Sequence, residues 1–347
     1  MATHQVVRFN VWIDPAFGER LAQEPSIALT ALPIGAPDAA AWQALASARV
    51  FHLTPTKDEV PRELFIDEAL LARCPLLLCA SSGGAGYDTI DVPACTAAGV
   101  AVVNQSGGNA VSVAEMTLGL VLDVSRRISE SDRRLRSERG FTREALTGRE
   151  ISGRTIGLVG IGEVGRRVAA LARAFGMPVL ATDPYVDPAE ITRRGAQAVS
   201  LDELLERSDF VSLHCPRDAS TLNMMDEAAF ARMKPGAVFI STARGGIHDE
   251  EALARAIATG HLAGAGLDVW QQEPPPLDSP LLKLPNVVAT FHTAGVTGEA
   301  RRTIAAMSAE QIVTVLAGRR PPRLINPEVW PVYRRRFTEL TGRPCAG

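Results

Sequence analysis

The feature that most narrows what this chain can fold into is the run Gly160-Ile161-Gly162-Glu163-Val164-Gly165, taken with what flanks it. Residues 155–159 read as an apolar strand leading into the run. Residues 163–175 read as a helix, with Val164, Val168, Leu171 and Phe175 at helical spacing and Gly176 placed to end it. Each glycine has its own steric job: Gly160 permits a tight turn, Gly162 lets the backbone approach a pyrophosphate, and Gly165 allows close helix-to-strand packing. Glu163 and Val164 complete the phosphate loop, and the helix start adds unpaired N–H groups with a dipole that favours an anion. Asp183, about twenty residues on at the end of the next apolar stretch, is placed to accept from the adenosine ribose hydroxyls. Its charge repels a 2′-phosphate and its neighbours Thr182 and Pro184 supply no cation, so NAD is the expected dinucleotide rather than NADP.

A chain of 347 residues has room for two domains, each with its own core. Short apolar runs alternate with helix-period segments almost throughout, the pattern of parallel sheets wrapped by helices. The N-terminal third offers strands at 6–13, 49–53, 76–80 and 100–104 and has no phosphate-binding signature. Residues 111 to 136 read as one long connecting helix, apolar early and charged late. Beyond 155–159, strands are expected at 179–182, 210–214, 237–242, 263–269 and 287–291. Ser200 with Glu203 forms a capping box, and Asp249 can cap a helix running to Gly260. A last long amphipathic helix is expected over 298–317, and the basic tail after Pro321 shows no further α/β unit. The expected class is therefore α/β, with two Rossmann- or flavodoxin-like doubly wound parallel-sheet domains.

Composition excludes several alternatives. With 46 % hydrophobic and 22 % charged residues and a net charge of -3, nothing signals disorder or an affinity for nucleic acid. Arg8 and Asp14 interrupt the N-terminal apolar run before it reaches signal or membrane-span length, so a cytoplasmic location and no membrane partner are expected. Cys74, Cys79, Cys95, Cys215 and Cys345 are odd in number and scattered, without metal-ligand spacing. They suit a reducing compartment, read as small buried apolar residues, and imply no metal.

Further motifs follow in order along the chain: SGGAGYDTID at 82–91, VNQSGGNAVSVAE at 103–115, GLVGIGEVG at 157–165, STARGGIHDEEAL at 241–253, GLDVWQQEP at 266–274 and LPNVVATFHTAG at 284–295. In this ordered set the chain resembles the D-isomer-specific 2-hydroxyacid dehydrogenases over most of its length. The resemblance implies an NAD-binding Rossmann domain, 106–299, inserted into a discontinuous substrate-binding domain, 1–105 and 300–347, with the active site in the interdomain cleft. It also implies a homodimer paired through the cofactor domain, for which the apolar segment 111–124 offers a helix. The implied reaction is reversible hydride transfer between NAD(H) and C2 of a small 2-hydroxy or 2-keto acid.

By the same resemblance Arg244 is the substrate-carboxylate arginine, Glu273 the orienting carboxylate and His292 the acid–base. The chemistry asks for these types. A 2-keto acid needs a planar, permanent cation to hold its carboxylate and polarise its ketone. The alkoxide that forms must be protonated, and imidazole exchanges a proton near neutral pH. A carboxylate on the ring fixes its tautomer and stabilises imidazolium. Cofactor contacts are implied at Gly160, Gly162, Glu163, Val164, Gly165, Asp183, Pro216, Thr221, Thr242, Ala243 and Asp268, the last near the nicotinamide carboxamide. His214 has either a cofactor-wall or a packing role. Substrate contacts are implied at Ser82, Gly83, Gly84, Asn109, Arg244 and His292. The amides of the loop that includes Gly86 either hold a carboxylate or simply turn the chain, and Glu115 matches a cleft-lining position.

Two departures bear on substrate. Phe291 stands where relatives usually have proline before the histidine, and Ser81-Ser82 where phosphate-handling relatives often carry a basic residue. Phosphoglycerate, glycerate or hydroxypyruvate, and aliphatic 2-keto acids stay open. A formate dehydrogenase-like relative would carry glutamine at Glu273, and a corepressor-like protein that senses a dinucleotide without turnover shares these residues. Turnover of a keto-acid panel separates the last class from an enzyme.

Overall fold

The computed structural model describes residues 4–11 and 13–345. The chain divides into two compact units, Met1–Asn109 with Thr297–Gly347, and Ala110–Val296.

The first unit contains, among the described residues, five parallel strands: β1 His4–Phe9, β2 Ile27–Leu32, β3 Val50–Leu53, β4 Cys79–Ser82 and β5 Ala101–Val103. Their order, β2-β1-β3-β4-β5, is the flavodoxin-like one. β3, β4 and β5 are buried along their whole length, as parallel strands covered on both faces are. Val7, Phe51, Ala80 and Val102 face helices Ala39–Ser47, Glu68–Arg73 and Val92–Ala97. Val6, Val50, Cys79 and Ala101 face helices Ala16–Ala22, Gly298–Leu316 and Trp330–Thr341.

Several sequence expectations are corrected here. The first strand ends at Phe9 rather than 13, and Trp12 lies outside the described residues. The third begins at Cys79 because Leu77 is held in a turn by the Cys74 carbonyl. β2 is an edge strand whose half-exposed, Ala- and Thr-containing sequence gives little hydrophobic signal. The basic tail contains a helix, Trp330–Thr341, whose Trp330, Tyr333 and Phe337 form a buried apolar stripe around the arginines. Asn326 also ties this tail to the sheet. Its Oδ1 accepts from Val102 N (2.9 Å) and its Nδ2 donates to Val100 O (3.0 Å), satisfying edge groups of β5 that would otherwise be bare. Half-buried Arg336 donates through Nη1 to the Leu77 and Ala98 carbonyls.

The second unit contains, among the described residues, seven parallel strands: β6 Ile156–Val159, β7 Val179–Thr182, β8 Gln197–Ala198, β9 Phe210–Leu213, β10 Val238–Ser241, β11 Gly264–Leu267 and β12 Val287–Ala289. Read from β8, the order β8-β7-β6-β9-β10-β11-β12 is the Rossmann order with one further strand. The two-residue β8 leaves no legible sequence pattern. The expected single connecting helix is two, Ala110–Arg126 and Ile128–Ser137, broken where Arg127 adopts φ 55°. Ala114, Leu118, Leu120 and Val121 are buried in this unit's core, so much of the apolar segment proposed for a partner is spent internally.

The helix after the glycine run, Gly165–Ala174, buries Val168, Ala169 and Ala172, while Phe175 is 44 % exposed. Val164 and Leu171 pack part-buried against the same core, so of the expected stripe only Phe175 turns outward. Ser200 Oγ accepts from Glu203 N and Asp249 Oδ1 from Ala252 N, the caps that the sequence indicates. Cys74, Cys79 and Cys95 are buried, but Cys215 and Cys345 are partly exposed. Among the described residues no helix is long and apolar enough to cross a membrane.

Candidate functional site

In the second unit the strand order reverses between β6 and β9, and Gly160 and His214 follow those two strands. Gly160 N donates to Thr182 O (2.9 Å) and His214 N to Val159 O (2.8 Å). At Gly160, φ is 94° and a Cβ would stand 2.8 Å from the His214 carbonyl carbon; a Cβ on Gly165 would stand 2.2 Å from Gly160 O. These two glycines are demanded by the fold. Gly162 is different, with nothing within 4 Å of where its Cβ would be. The fold leaves that space open, which is what a pyrophosphate approaching the backbone requires.

Asp183 Oδ2 accepts from Ile161 N and Oδ1 from Tyr185 N, each at 3.0 Å, which fixes the carboxylate against the glycine loop and leaves lone pairs for hydroxyl donors. Arg194, not flagged by the sequence, donates to Ile161 O (2.7 Å), but its Nε is committed to Glu190 (2.7 Å). Glu163 holds Arg166 and Arg167. His214 Nε2 meets Ser212 Oγ at 2.9 Å, and its Nδ1 is buried without a partner among the described residues. Burial pushes this imidazole down to about 3, so it is neutral at working pH. Thr221 Oγ1 donates to Pro216 O (2.7 Å) and accepts from Asp218 N (2.9 Å), closing the loop after β9 on itself. Thr242 meets Thr117 Oγ1 at 3.1 Å, and Ala243 is buried next to it. These residues fit a dinucleotide: open backbone at Gly162, a helix start at Gly165 and a carboxylate at the end of β7.

The same unit brings Arg244, Glu273 and His292 together. His292 Nδ1 lies 2.8 Å from Glu273 Oε2, and Glu273 Oε1 accepts from Trp270 N (3.1 Å). Half-burial alone pushes the Glu273 carboxyl up. The His292 hydrogen bond and charge, the Trp270 amide and the Arg244 guanidinium together outweigh it and hold the carboxyl below its ordinary range. A carboxylate only accepts, so Nδ1 carries the ring hydrogen and Nε2 is the atom left to exchange a proton. His292 itself has φ 48°, rare for a residue with a side chain.

Asp268 holds that conformation. Its backbone carbonyl accepts from His292 N (2.6 Å), and its carboxylate accepts from Thr290 Oγ1 (2.6 Å), Thr293 N (2.9 Å) and Ala294 N (2.9 Å). At 0 % exposure the Asp268 side chain is engaged by the turn around His292. Sequence reasoning passed over Trp270, whose Nε1 donates to Thr290 O (2.9 Å), and over Thr290 and Thr293. Their signal was available in GLDVW and TFHT, polar and aromatic residues flanking the acid and the histidine.

In the first unit, Ser82 is buried. Its Oγ donates to Gly86 O (2.5 Å) and its carbonyl accepts from Gln105 Nε2 (3.1 Å). Gly83 N donates to Leu53 O (2.7 Å), so that amide is committed within the unit. A Cβ on Gly84 would stand 2.9 Å from Pro55 Cγ. Asn109 is half-buried, Glu115 is exposed in the other unit, and the Phe291 side chain is 53 % exposed. Among the described residues no group of three or more His, Cys, Asp or Glu is placed to hold a metal.

Fold and loop together define a dinucleotide-binding α/β protein. The chain belongs to the D-isomer specific 2-hydroxyacid dehydrogenase family: residues 118–294 match the model described as the NAD binding domain of that family. It is 43 % identical over 261 residues to a D-3-phosphoglycerate dehydrogenase of Mycobacterium leprae (strain TN), an alignment covering 75 % of this chain and 49 % of that protein. The chain thus spans about half the length of the phosphoglycerate dehydrogenase it matches. It is 39 % identical to a glyoxylate reductase of Korarchaeum cryptofilum, covering 76 % of this chain and 80 % of that one. The crystal structure of a glyoxylate reductase from Paecilomyes thermophila superposes with a TM-score of 0.84 at 27 % identity, covering 94 % of this chain and 99 % of that one.

The contrast between the glycines gives a test of the dinucleotide site. Gly162→Ala is expected to keep the wild-type melting temperature while weakening NADH about tenfold or more, since only a ligand needs that space. Gly165→Ala should lose stability, by about 1–3 kcal/mol, with or without ligand. Thermal melts alongside NADH fluorescence titrations check both, and equal NADH affinity in Gly162→Ala and wild type would remove the site.

Proposed function

We propose that the chain is an NAD-dependent oxidoreductase that reversibly interconverts a small 2-hydroxy acid and its 2-keto acid. The observation that carries this reading is the 2.8 Å pairing of His292 Nδ1 with Glu273 Oε2, with Arg244 close enough to act on the same carboxylate. Bound NAD(H) supplies the hydride acceptor or donor. Arg244 binds the substrate carboxylate and polarises its carbonyl. His292 Nε2 gives its proton to the oxygen at C2 in reduction and takes it back in oxidation, while Glu273 steadies the imidazolium. In the first unit, Ser82, Gly83, Gly84 and Asn109 are assigned to substrate handling by family likeness. A non-phosphorylated acid is the favoured class, because Ser81 and Ser82 bring no cation to that loop.

A cytoplasmic homodimer completes the reading. With much of the apolar face of Ala110–Arg126 spent internally, support for pairing comes from Ile128 (54 % exposed) and Leu135 (64 % exposed) on the following helix. Sedimentation at micromolar concentration is expected to give a dimer, and a monomer there removes this part of the proposal.

Asp183→Ala should weaken NADH and narrow the preference over NADPH, through relief of charge repulsion and loss of the acceptors for Ile161 N and Tyr185 N. Comparative titrations read this directly, and a wild-type preference for NADPH would contradict the assignment.

Reduction needs His292 protonated and oxidation needs it neutral, so reduction should decline as pH rises and oxidation as pH falls. Glu273→Gln keeps a hydrogen-bonding partner for Nδ1 but removes the charge that steadies imidazolium, and should lower turnover. His292→Ala should cost about a hundredfold or more in turnover and lose more than Glu273→Gln. Rates in both directions against pH, over a panel including glyoxylate and hydroxypyruvate, check this. Near-wild-type turnover in His292→Ala would refute the role of the histidine, and NADH binding without turnover of any acid would favour a dinucleotide sensor.

A further inference from the structure

Two loops of the second unit meet at one peptide bond. Arg244 leads directly into Gly245, and a Cβ built on Gly245 would lie 1.7 Å from Trp270 O and 2.7 Å from Gln271 N. Gly245 is therefore laid flat on the Trp270–Gln271 peptide, with no room for any side chain. That same peptide offers its N–H to Glu250, whose Oε1 accepts from Gln271 N at 2.5 Å. Glu250 is the first residue of the helix Glu250–Ala258, a few residues beyond Arg244 on the same stretch of chain. On the other side, Trp270 N donates to Glu273 Oε1 and Trp270 Nε1 to Thr290 O, so the clamped residue touches both the carboxylate and the strand end that precede His292.

We infer that Glu250 is a positioning residue: by fixing the Gln271 amide it locks the loop that carries Glu273 against the loop that carries Arg244. The inference rests on the proposed acid–base role of Glu273 and His292. Without this anchor the Gln271 side of the turn keeps only its van der Waals contact with Gly245, while Trp270 stays held by its indole bond to Thr290 O, and the carboxylate's aim at Nδ1 is less tightly fixed. Burial pushes the Glu250 carboxyl up, and Glu251, Asp249 and Glu273 push in the same direction; the Gln271 hydrogen bond opposes them. The start of the helix favours a carboxylate at Glu250, while Glu251, Asp249 and Glu273 oppose one. Its geometry makes sense as an acceptor reaching one particular amide.

Reach and charge are separable. Glu250→Gln keeps an acceptor oxygen at the same distance and removes the charge. Glu250→Asp keeps the charge and withdraws the acceptor by one methylene. Amide hydrogen exchange at Gln271 measures the clamp without requiring turnover, and kcat and KM for glyoxylate reduction with NADH measure its consequence. Glu250→Asp and Glu250→Ala are expected to speed exchange at Gln271 about tenfold or more and to lower kcat by a similar factor with KM for NADH unchanged; Glu250→Gln should retain both protection and kcat. Should Glu250→Ala fail to fold, Glu250→Asp carries the same reading. Unchanged Gln271 exchange in Glu250→Asp, or a kcat loss in Glu250→Gln equal to that in Glu250→Asp, would overturn the inference. A wild-type protein that turns over no keto acid overturns the proposed function instead, and the exchange data still judge the clamp.

Discussion

The buried carboxylate of Asp268 is the interaction on which the site depends. A charge removed from water is tolerated only when its lone pairs are filled, and here Thr290 Oγ1, Thr293 N and Ala294 N fill them. Those donors lie on the segment that begins after β12, so satisfying one acid at the end of β11 forces that segment into a turn. His292 sits in the turn with φ 48°, a conformation that costs free energy and persists only because its neighbours are fixed on both sides. The ring is consequently presented to Glu273 before any ligand arrives. The geometry of the proposed acid–base pair thus follows from a desolvation requirement one layer beneath it.

Much of this was legible in the sequence, for identifiable reasons. Gly160, Gly165 and Gly245 are each pressed against backbone, so a glycine there is a steric necessity and the motif survives as a pattern. Parallel strands buried on both faces read as apolar runs, which made β7, β9 and β10 visible. The two-residue β8 and the half-exposed edge strand β2 lack that signal. The helix Trp330–Thr341 was hidden because Arg334, Arg335 and Arg336 mask a stripe of three aromatics at helical spacing, and one of those arginines is itself structural. The break at Arg127 has no glycine or proline to announce it. Arg127 is held there instead by its bonds to Glu130 and to Ala145 O.

Within the site, residue types that do chemistry were easier to find than those that hold them. Arg244, Glu273 and His292 stand out because a cation, an acid and an imidazole in ordered motifs suggest a reaction. Trp270 contributes through its indole N–H, visible as a tryptophan in GLDVW, and through its backbone amide, which leaves no trace in a sequence. Ser82 and Gly83 show the converse: their motif is plain, yet their polar groups are bonded to Gly86 and Leu53 of their own unit. A recognisable loop therefore does not reveal which of its donors remain for a ligand.

The attachment of Asn326 and Arg336 to β5 and its neighbours sets an order of events on the ribosome. Strand β5 is made early, but the groups that cover its edge belong to residues synthesised more than two hundred positions later. The unit Ala110–Val296 is contiguous and can close its core as soon as it emerges. The first unit must wait: its sheet edge stays open, and the apolar face over Val6, Val50 and Cys79 has only the early helix Ala16–Ala22 to cover it until the last two helices are made. Such a nascent chain presents an exposed template for strand pairing during most of its synthesis, and slow translation or a truncated C-terminus prolongs that exposure.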